Sequence, residues 1–346
     1  MKRSFMFICA AALLLTGCGA SADEASAQLF AMDTVMQLDA YGHQVKQAVS
    51  DAEETIQALE ARLSRTREDS LVSVLNQNGA AQDLSAEEQA LLSEALTFRD
   101  ATGGAFDITI APVMDAWGFT GDSYRVPAQD ELDALLENVN SDEIRLSGSS
   151  VTLGAGQAID LGGIAKGYTS DCVEAVFREN KIESGKISLG GNVFVLGGKP
   201  DGADWRVGIR DPQDENALAA VLTLRDAYAI TSGGYERYFT ENGNTYHHII
   251  DPSTGYPADS GLLSVTVVAE ANGPDFSGPG NGTMCDAFST ALFVMGEERA
   301  LEFWQTGGYD FDLVLVTADG RVIITDGLSD RFEVVKDSGY TYETVS

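Results

Sequence analysis

At 346 residues the chain has room for one large domain or two, and its 53 acidic against 22 basic side chains leave a formal charge of −31. So acidic a surface excludes nucleic acid and direct adhesion to anionic lipid, and it suits divalent cations and an extracytoplasmic face. No Pro/Ser-rich linker and no internal repeat divides it, which favours one globular unit.

In chain order, Lys2 and Arg3 form a positive n-region and residues 5–15 an apolar h-region. Residues 1–17 therefore read as a secretory signal, too short in its apolar run to span a bilayer. Leu15-Thr16-Gly17-Cys18 resembles the bacterial lipobox, which implies cleavage before Cys18 and lipid on that residue. The expectation is a protein anchored through Cys18 to the extracytoplasmic face of the cell membrane, with residues 18–28 as a polar tether and 29–346 as the folded domain. With Cys18 lipidated, Cys172 and Cys285 remain, giving neither a disulfide framework nor CxxC metal spacing.

Residues 30–41 alternate as a strand that Gly42 ends. Val45, Ala48, Val49, Ala52, Ile56, Leu59 and Leu63 then recur at helical spacing, predicting an amphipathic helix packed on a sheet. Residues 64–70 form a charged, hydroxyl-rich break. A second helix starts at Ser85, where Glu88 completes a capping box, and runs out at Thr102-Gly103-Gly104. Residues 105–109 and 112–119 read as an aromatic-bearing loop and turn. A short helix over 129–138, a hairpin over 143–153 and a helix over 164–180 follow. Strands are expected near Ile187, Val193 and Trp205, over 218–224, near Ala229 and over 262–269. Helices over 286–295 and 297–306 and a hairpin of 312–316 with 321–325 complete the chain. Helices and strands interleave without regular βαβ repetition, so the fold class is α+β, with a largely antiparallel sheet and packed helices.

Several chemistries are missing. There is no GxGxxG after a strand, no GxxxxGK[ST] and no GxSxG, and the three histidines lack zinc-site spacing. Any metal must be a hard cation held by oxygen. Four stretches could carry function. Gly162-Gly163, between a strand and a helix, could expose N–H groups to an anion with Lys166 adding charge, or could be a turn using glycine for its backbone freedom. Asp286 and Thr290 share a helix face and could hold one Mg²⁺, or could be an N-terminal acid and a back-bonded threonine. Phe106 could pack on an aromatic ligand or sit in the core. Tyr246 to Gly255 is a short strand delivering His248 to a hydroxyl-rich turn, where an imidazole could move a proton or be a satisfied strand end.

Taken together, the motifs resemble the ApbE family, the FAD:protein FMN transferases, over about residues 29–330. They read Met32-Asp33-Thr34; Leu63-Ser64-Arg65-Thr66 on to Asn76; Gly104-Ala105-Phe106-Asp107; Asp160 to Gly167; Thr231-Ser232-Gly233; His248-Ile249-Ile250-Asp251-Pro252-Ser253-Thr254-Gly255; and Asp286-Ala287-Phe288-Ser289-Thr290. The resemblance implies a single α+β unit of T-fold-like architecture. It implies an exported, Mg²⁺-dependent enzyme that splits FAD, passes FMN to a Thr or Ser hydroxyl of a membrane redox protein and releases AMP. Met32, Thr66, Ala105, Phe106, Asp107, Asp160, Lys166 and Ile249 match FAD-contacting positions. Gly163, Asp286, Ser289 and Thr290 match the metal site, and His248 the catalytic histidine. Asp33 and Thr66 stand where many relatives have Gly and Tyr. The missing aromatic face keeps open an FAD pyrophosphatase passing FMN to water. A rival of another class, a non-catalytic FAD-binding lipoprotein, is disfavoured by His248 with the Asp286 and Thr290 pair, since a pure binder needs no base. Residues 272–285 look longer than the usual connection before the metal Asp.

Overall fold

Alternation along the central strands writes a different face onto each side of one sheet. In Ala227–Gly233, Tyr228 and Ile230 join the core under the helices, while Ala227 and Ala229 join a second core on the opposite side. The structure, a computed structural model, describes residues 23–121, 123–273, 276 and 278–346. Its main sheet has nine strands, and their spatial order follows the chain: Asp23–Ala31, Thr34–Gly42, Ser184–Leu189, Asn192–Leu196, Ala227–Gly233, Leu262–Glu270, Asp312–Thr317, Arg321–Thr325 and Thr341–Val345. Every neighbouring pair is antiparallel except the last, which is parallel. The α+β class with a mostly antiparallel sheet holds.

Three helices cover one face. Val45–Leu63 buries the stripe that its spacing predicts, and Ala165–Glu179 and Asn281–Met295 pack beside it. A three-stranded sheet covers part of the other face, closing the second core with Val207, Ile209, Leu222 and Leu224. A third, aromatic cluster gathers Trp117, Phe119, Leu132 and Ile250 at one end. Trp117 Nε1 donates to the Gly255 carbonyl at 2.7 Å, which ties the turn after His248 to this cluster.

Several expectations change. Residues 30–41 are not one strand but the closing half of a hairpin, turning at Met32 and Asp33 with φ of 49° and 59°. The strand Asp23–Ala31 takes in residues 23–28, read from sequence as tether. Ala111–Trp117 is a helix where a turn was expected, begun with the help of Pro112 in its first turn, where no N–H is needed. The helix bearing Asp286 starts at Asn281, so the connection before it is shorter than residues 272–285 suggested. The signal segment and Cys18 lie outside the described residues. Among the described residues no helix is long and apolar enough to cross a membrane.

Candidate functional site

The two helices that frame the site approach closely because both carry glycine at the crossing. A Cβ on Gly167 would lie 2.2 Å from the Gly282 carbonyl oxygen and 2.6 Å from Asp286 Cβ. That approach lets Asp286 Oδ2 accept the Gly167 N–H at 2.8 Å, so the acid of one helix meets the first turn of the other. Asp171, buried in the Ala165–Glu179 helix, accepts from the N–H groups of Gly280, Gly282 and Thr283, each at 2.8 Å. It thus caps the second helix from outside and fixes its rotation.

Near this junction opens a cleft of about 390 Å³. Met32, Thr66, Ala105, Phe106, Asp107, Asp160, Lys166 and Ile249 line it, together with Gly163, Asp286, Thr290 and His248. Of the sequence-predicted site residues that are described, all but Ser289 line it. Ser289 is fully buried beneath the cleft, where its hydroxyl donates to the Asp286 carbonyl at 2.9 Å and pairs with Ser232 at 2.8 Å. Ser232 in turn reaches the Thr290 hydroxyl at 3.2 Å.

Two of the acids expected to contact the ligand also make hydrogen bonds within the protein. The Asp107 carboxylate accepts through Oδ1 from Thr109 N at 2.8 Å, Thr109 Oγ1 at 2.6 Å and Ser141 Oγ at 2.5 Å, which ties this cleft-lining acid to Ser141. Asp160 Oδ1 accepts the Gly162 N–H at 2.7 Å, and Oδ2 accepts from Arg65 Nη1 at 2.7 Å. The N–H groups of Ile164 and Ala165 go to the Leu161 carbonyl. The glycine turn therefore offers fewer free donors than its sequence suggests, and Gly162 N is one it lacks. Gly163 serves by proximity: a Cβ there would sit 3.3 Å from the Phe106 ring and 3.4 Å from Thr290 Oγ1.

Arg65, Ser232 and Arg237 line the cleft without having been assigned a role from sequence. Arg65 reaches Asp160, Thr120 at 3.0 Å and both oxygens of Asp115 at 2.9 Å. Its signal was present as one of two guanidinium groups, with Arg67, in the hydroxyl-rich break.

His248 follows the strand Asn244–His247 directly. Its Nδ1 lies 3.1 Å from the Arg237 carbonyl, whose oxygen also accepts the His248 N–H at 3.0 Å. A carbonyl only accepts, so Nδ1 carries the proton and Nε2 is the basic nitrogen. Burial pushes the His248 pKa down to about 3, and the Arg237 and Lys166 cations act in the same direction. His247 does not line this cleft; its Nε2 is 3.1 Å from the Ala258 carbonyl.

The candidate cation ligands are all oxygen: Asp286 Oδ1, whose partner oxygen holds the Gly167 N–H, and the Thr290 hydroxyl, beside the Gly163 backbone. That donor set suits a hard cation. Among the described residues, no cluster of three His, Cys, Asp or Glu side chains offers another metal site.

The fold is α+β with a mostly antiparallel sheet, and one cleft gathers an acid–hydroxyl pair, a buried imidazole and three cations. The ApbE family model matches residues 32–313, and the chain belongs to that family. It is 32% identical to the FAD:protein FMN transferase of Treponema pallidum, over 84% of this chain and 83% of that one. The corresponding protein of Haemophilus influenzae is also 32% identical, over 79% of each. The crystal structure of the ApbE protein from Thermotoga maritima superposes with a TM-score of 0.78 at 30% identity, covering 91% of this chain and 97% of that chain.

Proposed function

We propose that this chain is an FAD:protein FMN transferase that uses Mg²⁺ to split the pyrophosphate of FAD and passes FMN to a Thr or Ser hydroxyl of an acceptor protein. Asp286 and Thr290, with the Gly163 carbonyl, would hold the cation, with Ser289 supporting them from beneath. When bound there, Mg²⁺ supplies charge neutralisation at the pyrophosphate. His248 Nε2 takes the proton of the acceptor hydroxyl as its oxygen bonds to the FMN phosphorus. The bond from that phosphorus to the bridging oxygen breaks, and AMP leaves with the electron pair. Lys166 offers a cation to the phosphates, and Phe106 an apolar wall.

The observation that carries this reading is the hydrogen bond from His248 Nδ1 to the Arg237 carbonyl at 3.1 Å, which leaves the other ring nitrogen basic in the same cleft as Asp286 and Thr290. His248→Ala should slow FMN transfer by about 10²–10⁴-fold, the usual range for a general base, while FAD still binds. Near-normal transfer in that variant would remove His248 from the chemistry. Hydrolysis of FAD to FMN and AMP remains the rival because Thr66 offers no aromatic face and its N–H bonds Ser64 Oγ at 3.2 Å. The lipid anchor at Cys18, which would place the enzyme on the extracytoplasmic side of the membrane beside its acceptor, belongs to the same proposal.

A further inference from the structure

We propose that Arg237 is a phosphate-binding residue of this cleft, and that Asp33 holds its guanidinium until an anionic substrate takes it over. The inference rests on reading the cleft as a pyrophosphate site. Three cations line it: Arg65, Lys166 and Arg237. Arg65 is occupied by Asp160, Asp115 and Thr120. Arg237 is differently placed. Its Nη1 donates to the Phe119 carbonyl at 3.0 Å, which orients the guanidinium plane. Its Nη2 meets Asp33 at 3.5 Å, longer than a good charge-assisted hydrogen bond of about 2.7–2.9 Å. Its main-chain carbonyl is the acceptor that fixes His248, so its side chain leaves the backbone beside the proposed base.

Asp33 sits at the tip of the first hairpin, held there by the left-handed turn and by Met32 N donating to Glu60 Oε1 at 3.0 Å. Its side chain is 76% exposed and that of Arg237 38% exposed, so water competes for the pair and little is lost when they separate. A phosphate can take both N–H groups of the guanidinium fork and carries more charge than a carboxylate, so it displaces Asp33. Asp33 thus lowers affinity for the anionic substrate by competing for the group that binds it.

Flavin-fluorescence titration of the full folded domain, with divalent cations removed to prevent turnover, tests the clasp. Arg237→Met should weaken FAD binding about tenfold or more, as expected for loss of a charged hydrogen bond. Asp33→Asn should tighten it by up to about fivefold. In the Arg237→Met background Asp33→Asn should change nothing. Riboflavin, which has no phosphate, should bind all variants alike, and its unchanged binding reports an intact cleft. Arg237→Lys, which keeps charge but not the fork, should fall between wild type and Arg237→Met. Equal tightening by Asp33→Asn in both backgrounds, or wild-type FAD affinity in Arg237→Met, overturns the clasp. Failure of the wild type to bind FAD overturns the pyrophosphate reading instead.

Discussion

His248 takes its chemical character from the place where its strand stops. The strand ends at His247, and the next residue bonds the Arg237 carbonyl through both its N–H and its ring, turning Nε2 to the cleft. Burial lowers its pKa to about 3, so the imidazole stays neutral far below its ordinary value of 6.5. In the free enzyme the proposed base is therefore unprotonated across the neutral range. The pH profile of kcat/KM for FAD, which reports the free enzyme, should show no loss from His248 between pH 8 and about pH 5. A fall with its midpoint near 6.5 would mean the ring is solvated. The same shift links to stability with a definite sign. The unfolded chain takes up the proton first, so stability is retained above about pH 6.5 and declines as pH falls from there toward 3. His247→Ala should be mild by comparison, since that ring bonds Ala258 away from the cleft. Equal, severe loss of transfer in both histidine variants would point to a collapsed strand.

The helices Ala165–Glu179 and Asn281–Met295 set the distance between the glycine turn and the acid–hydroxyl pair. Gly167→Ala would drive a methyl group to within 2.2 Å of the Gly282 carbonyl oxygen, so the helices must part. The expected cost is about 1–3 kcal/mol, read as a lower melting temperature, with weaker Mg²⁺-dependent turnover. A melting curve matching wild type would show that the crossing tolerates a side chain. The long helices were legible in sequence because a buried stripe repeats with the helical period. The capping box at Ser85 was legible for the same local reason, and both of its hydrogen bonds form. What stayed hidden lacked such marks. The turn at Met32 and Asp33 uses two residues at positive φ without a glycine, so one long strand was read where two exist. The hairpin Tyr238–Glu241 with Asn244–His247 turns at Asn242-Gly243, a signal present in the sequence and unused. Site residues were legible as motifs, but not their commitments: nothing local says that Asp107 braces Ser141, or that Ser289 lies beneath the cleft.

At the scale of the whole molecule, a charge of −31 sits uneasily beside an anionic substrate. The cleft does not offset it locally, since Asp33, Glu60, Asp107, Asp160, Glu236 and Asp286 line it beside Arg65, Lys166 and Arg237, and Mg²⁺ at Asp286 and Thr290 would supply the missing positive charge. Asp286→Ala should abolish FAD turnover at ordinary Mg²⁺ without unfolding the protein, since one full ligand charge is lost. Turnover within a few-fold of wild type would make Asp286 structural only. Cys18→Ser should release the protein from the membrane fraction, and retention there would rule out the anchor. Transfer itself is tested most directly by intact-protein mass spectrometry of an acceptor domain incubated with this protein, FAD and Mg²⁺. The acceptor should gain the mass of one covalently bound FMN, with AMP in solution. Free FMN accumulating beside an unmodified acceptor would contradict transfer and leave hydrolysis as the activity.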